Sequence, residues 1–265
     1  MTDFARLAAD IAREAGDMLL AKRPTMSVAA ADIATKSSPT DVVTLLDRAS
    51  EELIRERVLA VRPDDRVLGE EGGEAGGESG VRWIVDPIDG TVNFLYGLLD
   101  WAVSIAVEVD GRVVAGAVNV PPRGELYTAA LGEGAWLGGE RLRCNPAVPL
   151  EQALVATGFG YDSARRAVQA EVLASVLPRV RDIRRGGSCA VDLCSVAGGR
   201  VDAYYERGVN YWDYAAAGLV ASEAGARIGG LRGRPYNSEL TLCAAPGLFE
   251  DLHDLLVSLN PERDG

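Results

Sequence analysis

Apolar residues recur at helical spacing near the start of the chain. The repeat comprises Phe4, Leu7, Ile11, Ala15, Met18 and Leu19. With Thr2 or Asp3 as the cap and Pro24 beyond the end, this spacing predicts an amphipathic helix. A second helix is predicted from about Asp41 to Ala60.

The middle of the chain changes to a pattern of period two. Alternating runs separated by turn-forming residues predict an antiparallel meander with strands at Trp101–Val109, Arg112–Val120 and Glu125–Leu131. Before it, a glycine- and glutamate-rich segment from Gly72 to Gly80 predicts a solvated, mobile loop.

In the second half of the chain, strand and helix patterns alternate. The predicted strands are Ala153–Thr157, Val180–Arg184, Val201–Glu206 and Thr241–Ala245. The predicted helices are Ala164–Leu177, Ser188–Ala197, Asp213–Ala224 and Gly247–Leu259. An antiparallel sheet and a mixed sheet, both covered by helices, make the predicted fold a layered α+β protein.

One stretch joins the first half to the meander and concentrates acidic and turn-forming residues: Trp83–Phe94, or W-I-V-D-P-I-D-G-T-V-N-F. Its β-branched start predicts a buried strand, which Pro87 ends with the Asp86 carboxylate at the tip. A turn containing Asp89 follows, and a short helix is expected from Thr91. Carboxylates beside a helix N-terminus suit a hard cation and a phosphate. Taken alone, the pattern also fits a corner whose aspartates only cap the backbone.

Composition narrows the classes of partner. The chain has 265 residues, is 48% hydrophobic and carries a formal net charge of −12, which argues against nucleic acid or anionic membrane as partners. No stretch approaches the ~20 apolar residues of a membrane span, and the N-terminus lacks a signal-peptide pattern. The 4 cysteines form no C-x-x-C pair. We therefore expect a reduced, cytoplasmic protein without a zinc site or disulfide framework.

Three nucleophile chemistries find no support in the sequence. The single histidine, His253, falls in a predicted amphipathic helix, so serine and cysteine mechanisms lack a base. Cys194 and Arg200 have the C-x5-R spacing of cysteine phosphatases, but Cys194 falls on a predicted helical stripe instead of a phosphate-binding loop. The spacing of Asp86 and Asp89 does not match the D-x-D-x-T of aspartyl-phosphate phosphatases. Carboxylate chemistry remains.

The string from Trp83 to Phe94 resembles the signature of the inositol monophosphatase family, which are magnesium-dependent phosphomonoesterases. Further motifs occur in the family's order: T-D-V-V-T-L-L-D ending at Asp47, G-E-E containing Glu70, and W-D-Y-A-A containing Asp213. Taken alone, Glu70 fits a solvated acidic edge and Asp213 a helix N-cap. Taken together, the motifs cover essentially the whole chain.

The resemblance implies a fold and a domain organisation. The fold would be the layered αβαβα sandwich of inositol monophosphatase and fructose-1,6-bisphosphatase, with helices between and outside the two sheets. Residues 1–265 would form a single unit. An N-terminal lobe of about residues 1–145 would hold the metal and phosphate site. A C-terminal lobe of about residues 146–265 would supply the polyol-binding side and the last metal ligand.

The resemblance also implies two or three Mg²⁺ ions per site. Glu70, Asp86 and the Ile88 carbonyl would hold one ion. Asp86, Asp89 and Asp213 would hold a second, and Glu70 would touch a weaker third through water. Gathered carboxylates repel one another, so bound cations would relieve that repulsion and attract a phosphate dianion. An oxygen ligand set without histidine favours Mg²⁺ over zinc.

The family's catalytic residues map onto Asp47, Thr91 and Glu70. Thr91, paired with Asp47, would orient and deprotonate a metal-activated water for in-line attack. The backbone amides of Gly90 and Thr91 would bind phosphate oxygens, with Lys36 near the phosphate entrance.

The polyol pocket implied by the family uses Gly187, Cys189 and Glu206, with Asp89 and Asp213 also in reach. Where this chain has Cys189, the family more often has alanine, a difference that could alter the fit of the ring. Gly187 and the serine after it also fit a simple helix cap.

The implied function is that of an inositol-phosphate phosphatase. It would hydrolyse myo-inositol 1-phosphate, or a close polyol monophosphate, as a lithium-sensitive homodimer with no nucleic-acid or membrane partner. Sister activities on histidinol phosphate, fructose 1,6-bisphosphate or a nucleotide 3′-phosphate stay open. The alternative of another class is a regulatory binding protein that uses the fold as a scaffold, contacting transcription or ribosomal machinery.

Overall fold

The structure is a computed structural model that describes residues 2–23, 33–35 and 42–264. Lys36, Thr40 and Asp41, which the sequence analysis uses, lie outside this range. The helices are α1 (Asp3–Lys22), α2 (Leu45–Val61), α3 (Thr91–Tyr96), α4 (Ser163–Val176), α5 (Cys189–Ala197), α6 (Tyr211–Glu223) and α7 (Leu248–Leu259).

The strands fall into three groups by sheet. A hairpin contains β1 (Ile33–Thr35) and β2 (Val42–Thr44). The larger sheet contains β3 (Arg66–Gly69), β4 (Gly73–Gly76), β5 (Val81–Asp89), β6 (Ala102–Val109), β7 (Arg112–Val120), β8 (Glu125–Ala130), β9 (Gly134–Leu137) and β10 (Glu140–Arg141). The smaller sheet contains β11 (Leu154–Thr157), β12 (Asp182–Arg184), β13 (Ala203–Glu206), β14 (Arg227–Gly229) and β15 (Thr241–Ala244).

Strand order explains how the two sheets are built. The larger sheet runs β10-β9-β8-β7-β6-β5-β3-β4, and the smaller runs β12-β11-β13-β15-β14. The expectation of a purely antiparallel first sheet was wrong, because β3 and β5 pair in parallel. After β3 the chain turns back and forms β4, which pairs antiparallel with β3 at the edge of the sheet. The chain then crosses to the other side of β3 and forms β5 in the same direction as β3. The smaller sheet is mixed, as predicted.

Helices lie between the two sheets and on both outer faces. Alternation along β5 shows the layers, since Trp83 and Val85 belong to the core under α1 and α2, whereas Ile84 belongs to the core with α5 and α6. On the far side of the smaller sheet, Val155 packs in a third core with Leu252 of α7. The layer order is α–β–α–β–α, so the predicted layered α+β fold is confirmed.

Some predicted element boundaries were wrong. The second helix begins at Leu45 instead of about Asp41, because the β-branched run before it forms β2. Part of the predicted mobile loop, Gly73–Gly76, is β4, an exposed edge strand held by backbone hydrogen bonds to β3. Two predicted strands are shorter than expected, at Asp182–Arg184 and Ala203–Glu206.

Other predictions hold. The Thr2 side chain accepts a hydrogen bond from Ala5 N at 3.2 Å and caps α1, as predicted. The helices described here include none with the combination of length and apolarity needed to span a bilayer. The larger sheet ends at Arg141 and the smaller begins at Leu154. The division into two lobes near residue 145 stays a prediction.

Candidate active site

Strand β5 brings two carboxylates to one side of the sheet through an irregularity. Residues three apart on a regular strand face opposite sides. Pairing with β6 shifts register between Asp86 and Asp89, and both residues line the same cavity. The predicted end of the strand at Asp86 was therefore wrong, since pairing resumes at Asp89 opposite Ala102. Asp86 also accepts a hydrogen bond from Ile88 N at 3.0 Å, which fixes the turn.

Gly90 makes the corner between β5 and α3. Its φ of +93° is one that side chains other than glycine rarely adopt, and a Cβ here would lie 2.9 Å from the carbonyl oxygen of Asp100. Helix α3 starts at the next residue, Thr91, as predicted. The turn thus places the first amides of a short helix directly after the second carboxylate.

Thr91 and Asp47 meet across 44 positions of sequence. Thr91 Oγ1 lies 3.2 Å from Asp47 Oδ1 and 3.1 Å from the carbonyl oxygen of Ile88. Asp47 is 1% exposed and lies near the start of α2, whereas Thr91 lines the cavity. The predicted pair is therefore formed, with Asp47 behind the threonine.

Glu70 enters the cavity from the end of β3. Its backbone amide donates to the carbonyl oxygen of Val85 at 3.3 Å, which extends the parallel pairing by one bond. The turn after it is held by Glu51 of α2, a buried carboxylate that accepts from Glu71 N at 2.8 Å and Gly72 N at 2.9 Å. This role of Glu51 was not predicted, since nothing in an amphipathic helix pattern distinguishes one acidic residue as the anchor of a loop.

Asp213 lies in the first turn of α6. Its Oδ2 accepts from Asn210 N at 2.6 Å, completing a capping box in which Asn210 is the N-cap. The expectation that Asp213 itself begins the helix was wrong, because α6 starts at Tyr211. Asp213 also shares a hydrogen bond with Asp86.

These residues line one cavity of about 470 Å³. Its predicted members are Glu70, Asp86, Ile88, Asp89, Gly90, Thr91, Gly187, Cys189, Glu206 and Asp213. Its remaining members include Phe159, Gly160, Tyr161, Asp162, Arg165, Arg185, Gly208, Val209, Asn210 and Trp212. Of the predicted site residues in the described range, only Asp47 is absent from the lining, and it touches the cavity through Thr91.

Burial and mutual repulsion dominate the electrostatics at the acidic end. Burial, followed by the negative charges of Glu70, Asp89 and Asp213, raises the pKa of Asp86 well above its usual range. Burial likewise raises the pKa of Asp213, with Asp89 and Glu70 adding to the effect. Burial raises the pKa of Asp89 to about 6, although hydrogen bonds from Ser188 and the α5 amides oppose the rise.

The donor set at this end fits a hard cation in its chemistry. Every group is a carboxylate or carbonyl oxygen, which suits Mg²⁺ and does not suit zinc. Within the part of the chain that the structure describes, no three His, Cys, Asp or Glu side chains already have the spacing of a metal cluster. Their oxygens are engaged instead in hydrogen bonds to backbone amides and to each other. These residues therefore fit Mg²⁺ through the chemistry of their ligand atoms, which are all oxygens.

The predicted polyol side lies next to these carboxylates. Gly187 has a φ of +94° and precedes α5, and Ser188 caps that helix by accepting from Val191 N at 3.2 Å. Burial raises the pKa of Cys189 well above its usual range, so this residue presents a thiol. Glu206 accepts from the Tyr204 hydroxyl at 2.9 Å, and burial raises the pKa of Glu206 to about 7.

Several contacts at the site were missed by sequence reasoning. Asp89 Oδ2 accepts from Ser188 Oγ and from Ala190 N, both at 2.6 Å, which ties β5 to the start of α5. Asn93, inside the signature string, donates to the carbonyl oxygens of Gly186, at 2.9 Å, and of Asp100. These bonds link residues from 7 to 101 positions apart, and the longer ones leave no local pattern in the sequence.

His253 and Cys194, which the sequence does not connect to a catalytic mechanism, have structural roles. His253 Nε2 accepts from Arg232 N at 2.9 Å, and its ring stacks on Phe249 at 6.2 Å. Cys194 is buried within α5, and burial raises the pKa of its thiol. Neither residue lines the cavity.

Comparisons with known proteins bear on the whole chain. A sequence profile of the inositol monophosphatase family matches residues 1–261. An inositol-1-monophosphatase of Mycobacterium bovis is 49% identical over 238 residues, covering 86% of this chain and 82% of the relative. A Nus factor SuhB of Pasteurella multocida is 41% identical over 224 residues, covering 82% of this chain and 83% of the relative. The solved structure of Mycobacterium tuberculosis SuhB gives a TM-score of 0.82 at 41% identity, with 98% of each chain covered.

Proposed function

This chain belongs to the inositol monophosphatase family, and from that premise we propose that it is a Mg²⁺-dependent phosphomonoesterase. Its substrate would be myo-inositol 1-phosphate or a close polyol monophosphate, and its products the free polyol and phosphate. The single observation that carries the proposal is the meeting of Glu70, Asp86, Asp89 and Asp213 in one cavity beside Thr91. These residues come from two strand ends and a helix start that are far apart in sequence.

The chain would hold two or three cations through these oxygens. Glu70, Asp86 and the Ile88 carbonyl would hold one, and Asp86, Asp89 and Asp213 a second. When bound, Mg²⁺ would supply positive charge for the phosphate dianion and activate water near neutral pH. The net charge of −12 and the carboxylates at this end would repel an anionic substrate, and bound cations would offset that repulsion.

Thr91 and Asp47 would accept the proton of the attacking water. The Thr91 hydroxyl is held between two acceptors, Asp47 Oδ1 and the Ile88 carbonyl oxygen. Its own hydrogen is thereby directed away from the cavity, and its lone pairs can accept a hydrogen bond from water. Proton transfer would then pass from water to Thr91 Oγ1 and on to the buried Asp47 carboxylate. The Gly90 and Thr91 amides would bind phosphate oxygens.

The alcohol part of the substrate would face the start of α5 and the end of β13. The Gly187 backbone, the Cys189 thiol and the Glu206 carboxyl offer donors and acceptors to ring hydroxyls. Glu206 is held in place by the Tyr204 hydroxyl. A polyol, which presents a hydroxyl on each carbon, would satisfy such a wall better than an apolar alcohol.

A phosphate-release panel tests the proposal. The purified protein would be assayed on myo-inositol 1-phosphate, histidinol phosphate, fructose 1,6-bisphosphate and a nucleotide 3′-phosphate, with Mg²⁺ or with a chelator. We expect Mg²⁺-dependent release that favours the inositol ester. A clear preference for histidinol phosphate would contradict the proposed substrate, and release in chelator would contradict the metal dependence.

A matched pair of variants tests the site itself. Asp89→Asn should lower phosphate release by more than the 10–100-fold that losing a supporting partner of a metal ligand typically costs. Asp251→Asn makes the same substitution on the exposed face of α7 and should leave activity unchanged. Equal activity in the two variants would contradict the assignment of Asp89.

The Nus factor name of one relative favours a second candidate function, a regulatory protein that contacts transcription machinery. The two candidates separate cleanly, because Asp89→Asn would abolish catalysis while leaving the outer surface unchanged. Binding to RNA polymerase that survives in an inactive Asp89→Asn protein would support this second role. Failure of the wild-type protein to bind would count against it.

Three further properties belong to the proposal. Lithium would inhibit by competing at the second cation position, which inhibition curves in the millimolar range would test. Light scattering would test the expected homodimer. Cell fractionation would test the expected cytoplasmic localisation.

A further inference from the structure

The cavity extends beyond the acidic end to a wall that carries positively charged side chains. Arg165, from the first turn of α4, and Arg185, just after β12, both line it. The Arg185 guanidinium lies over the Phe159 ring, 6.0 Å from its centroid. A Cβ at Gly208 would lie 2.8 Å from Arg165 Nη1, which places that guanidinium against the loop following β13. Two cationic groups therefore face the same space as the carboxylates.

Neither guanidinium has an ion-pair partner within the described part of the chain. Among the residues that the structure describes, no carboxylate oxygen lies within 4.0 Å of a guanidinium nitrogen of Arg165 or Arg185. Arg184, the residue before Arg185, does form an ion pair, since its Nη1 lies 2.7 Å from Asp182 Oδ2. The cavity thus contains two arginines without an ion-pair partner among the described residues, in a chain with 39 acidic residues against 27 basic ones.

The acidic residues of this wall already have partners. Asp162 is the N-cap of α4, where its Oδ1 accepts from Arg165 N at 2.8 Å. Glu206 accepts from the Tyr204 hydroxyl, and Arg185 influences it only at longer range. The donors left to interact with a ligand include the two guanidinium groups, whose planar forks suit phosphate oxygens.

We propose that Arg165 and Arg185 form a distal anion site for a second phosphate group on the alcohol part of the substrate. The inference rests on the proposed function and extends its substrate class to phosphate monoesters of a polyol that carries another phosphate. The reacting ester lies at the carboxylate end, the ring against Gly187 and Glu206, and the second phosphate at the two arginines. A ring that carries its phosphates on opposite carbons provides a probe for this order.

Two substrates that differ only in the second phosphate test the proposal. Phosphate release would be measured for myo-inositol 1-phosphate and myo-inositol 1,4-bisphosphate, with product analysis to identify the ester cleaved. The variants are Arg165→Gln and Arg185→Gln. Each has a matched control next to it, because Arg166→Gln and Arg184→Gln remove the same charge from exposed neighbours outside the cavity.

We expect the wild-type protein to bind the bisphosphate more tightly than the monophosphate, which would appear as a lower KM. Each cavity variant should lower the ratio of bisphosphate to monophosphate kcat/KM by about tenfold, mainly through KM, because a remote contact contributes uniform binding. The controls should keep the wild-type ratio. A wild-type KM for the bisphosphate no lower than that for the monophosphate, an unchanged ratio in both cavity variants, or an equal fall in the controls would overturn the proposal.

Failure of the proposed function would look different. In that case the wild-type protein would release phosphate from neither substrate, and calorimetric binding of the same two compounds would decide the distal site. Tighter binding of the bisphosphate that Arg165→Gln or Arg185→Gln abolishes would support the site without catalysis. Equal binding of the two compounds would refute it.

Discussion

Asp65 is a buried carboxylate whose removal should destabilise the sheet that supports the site. It lies just before β3 and is 1% exposed. Its Oδ2 accepts from Arg62 Nε at 2.8 Å and from Trp83 Nε1 at 2.9 Å. Its Oδ1 accepts from Arg62 Nη2 at 3.0 Å and from Ser79 Oγ at 2.7 Å. One side chain therefore joins the starts of β3 and β5, whose far ends carry Glu70 and Asp86.

The perturbation is Asp65→Asn, which keeps the shape and exchanges one acceptor oxygen for a donor. With the amide nitrogen at the Oδ2 position, Arg62 Nε and Trp83 Nε1 both face a donor. At the Oδ1 position Arg62 Nη2 faces a donor, whereas the Ser79 hydroxyl can turn and accept. An unsatisfied buried donor such as Trp83 Nε1 costs about 1–3 kcal/mol. The Arg62 side chain is 38% exposed, so water replaces part of its lost bond. We expect a destabilisation of about 2–4 kcal/mol, or roughly 5–15 °C in Tm.

The pH dependence of this difference provides a second check. Hydrogen bonds from Arg62, Trp83 and Ser79 lower the pKa of Asp65, although burial opposes them. A lowered folded-state pKa means that the stabilisation is fully present above the unfolded pKa of about 3.9 and is lost as pH falls through the folded value. The wild type and Asp65→Asn should therefore differ constantly above about pH 5 and converge in more acidic solution.

The assay is urea unfolding of both proteins at about pH 7, 5 and 3.5, with Asp64→Asn as the matched control. Asp64 is the exposed neighbour of Asp65, and its backbone carbonyl accepts from Ser79 N at 3.1 Å. The Asp64 side chain adds only a weak electrostatic attraction to Arg62. Asp64→Asn should change the free energy of unfolding by less than about 0.5 kcal/mol. The reasoning is refuted if the two variants are equally stable at neutral pH, or if the difference grows as the pH falls.

Three further substitutions test the site. Gly90→Ala should cost about 1–3 kcal/mol in thermal unfolding, because its φ of +93° and the carbonyl oxygen 2.9 Å from the new Cβ both oppose a side chain; unchanged stability would contradict this. Thr91→Val should lower kcat by roughly 10²–10⁴-fold at near-native stability, whereas Thr91→Ser should retain most of the activity; equal rates would remove the proton-handling role of Thr91 and Asp47. Glu51→Gln should raise the Mg²⁺ concentration needed for half-maximal activity, because one of two amide bonds that hold the turn after Glu70 is weakened; an unchanged Mg²⁺ titration would contradict it.

The sequence was most informative where one local pattern determines both conformation and chemistry. Asp86, Asp89, Gly90 and Thr91 lie within one short stretch of the chain, and their turn chemistry predicts the corner that the structure contains. Amphipathic spacing predicted α1 and its cap Thr2 for the same reason. The family resemblance added Glu70 and Asp213, which no local pattern would have distinguished from surface acids.

What the sequence could not predict depends on contacts across long separations or on the backbone alone. Glu51 reads as one polar position of a helix, yet it anchors a turn 20 residues away. Strand β4, at Gly73–Gly76, has no buried side chain and is held by backbone pairing, so its composition resembled a loop. Arg165 and Arg185 face the carboxylates only because β11, β12 and β13 lie side by side in the smaller sheet.

The same burial that shapes the acidic end works against the stability of the folded chain. A carboxyl whose pKa is raised on folding binds its proton more tightly in the native state, so raising the pH through that range destabilises the fold. Asp86, Asp89 and Asp213 all shift in this direction. Apolar layers on both sides of β5 offset this effect, with Trp83 and Val85 on one face and Ile84 on the other. Cation binding at these carboxylates would relieve the same repulsion, so metal affinity and folding stability are linked through the residues that define the proposed site.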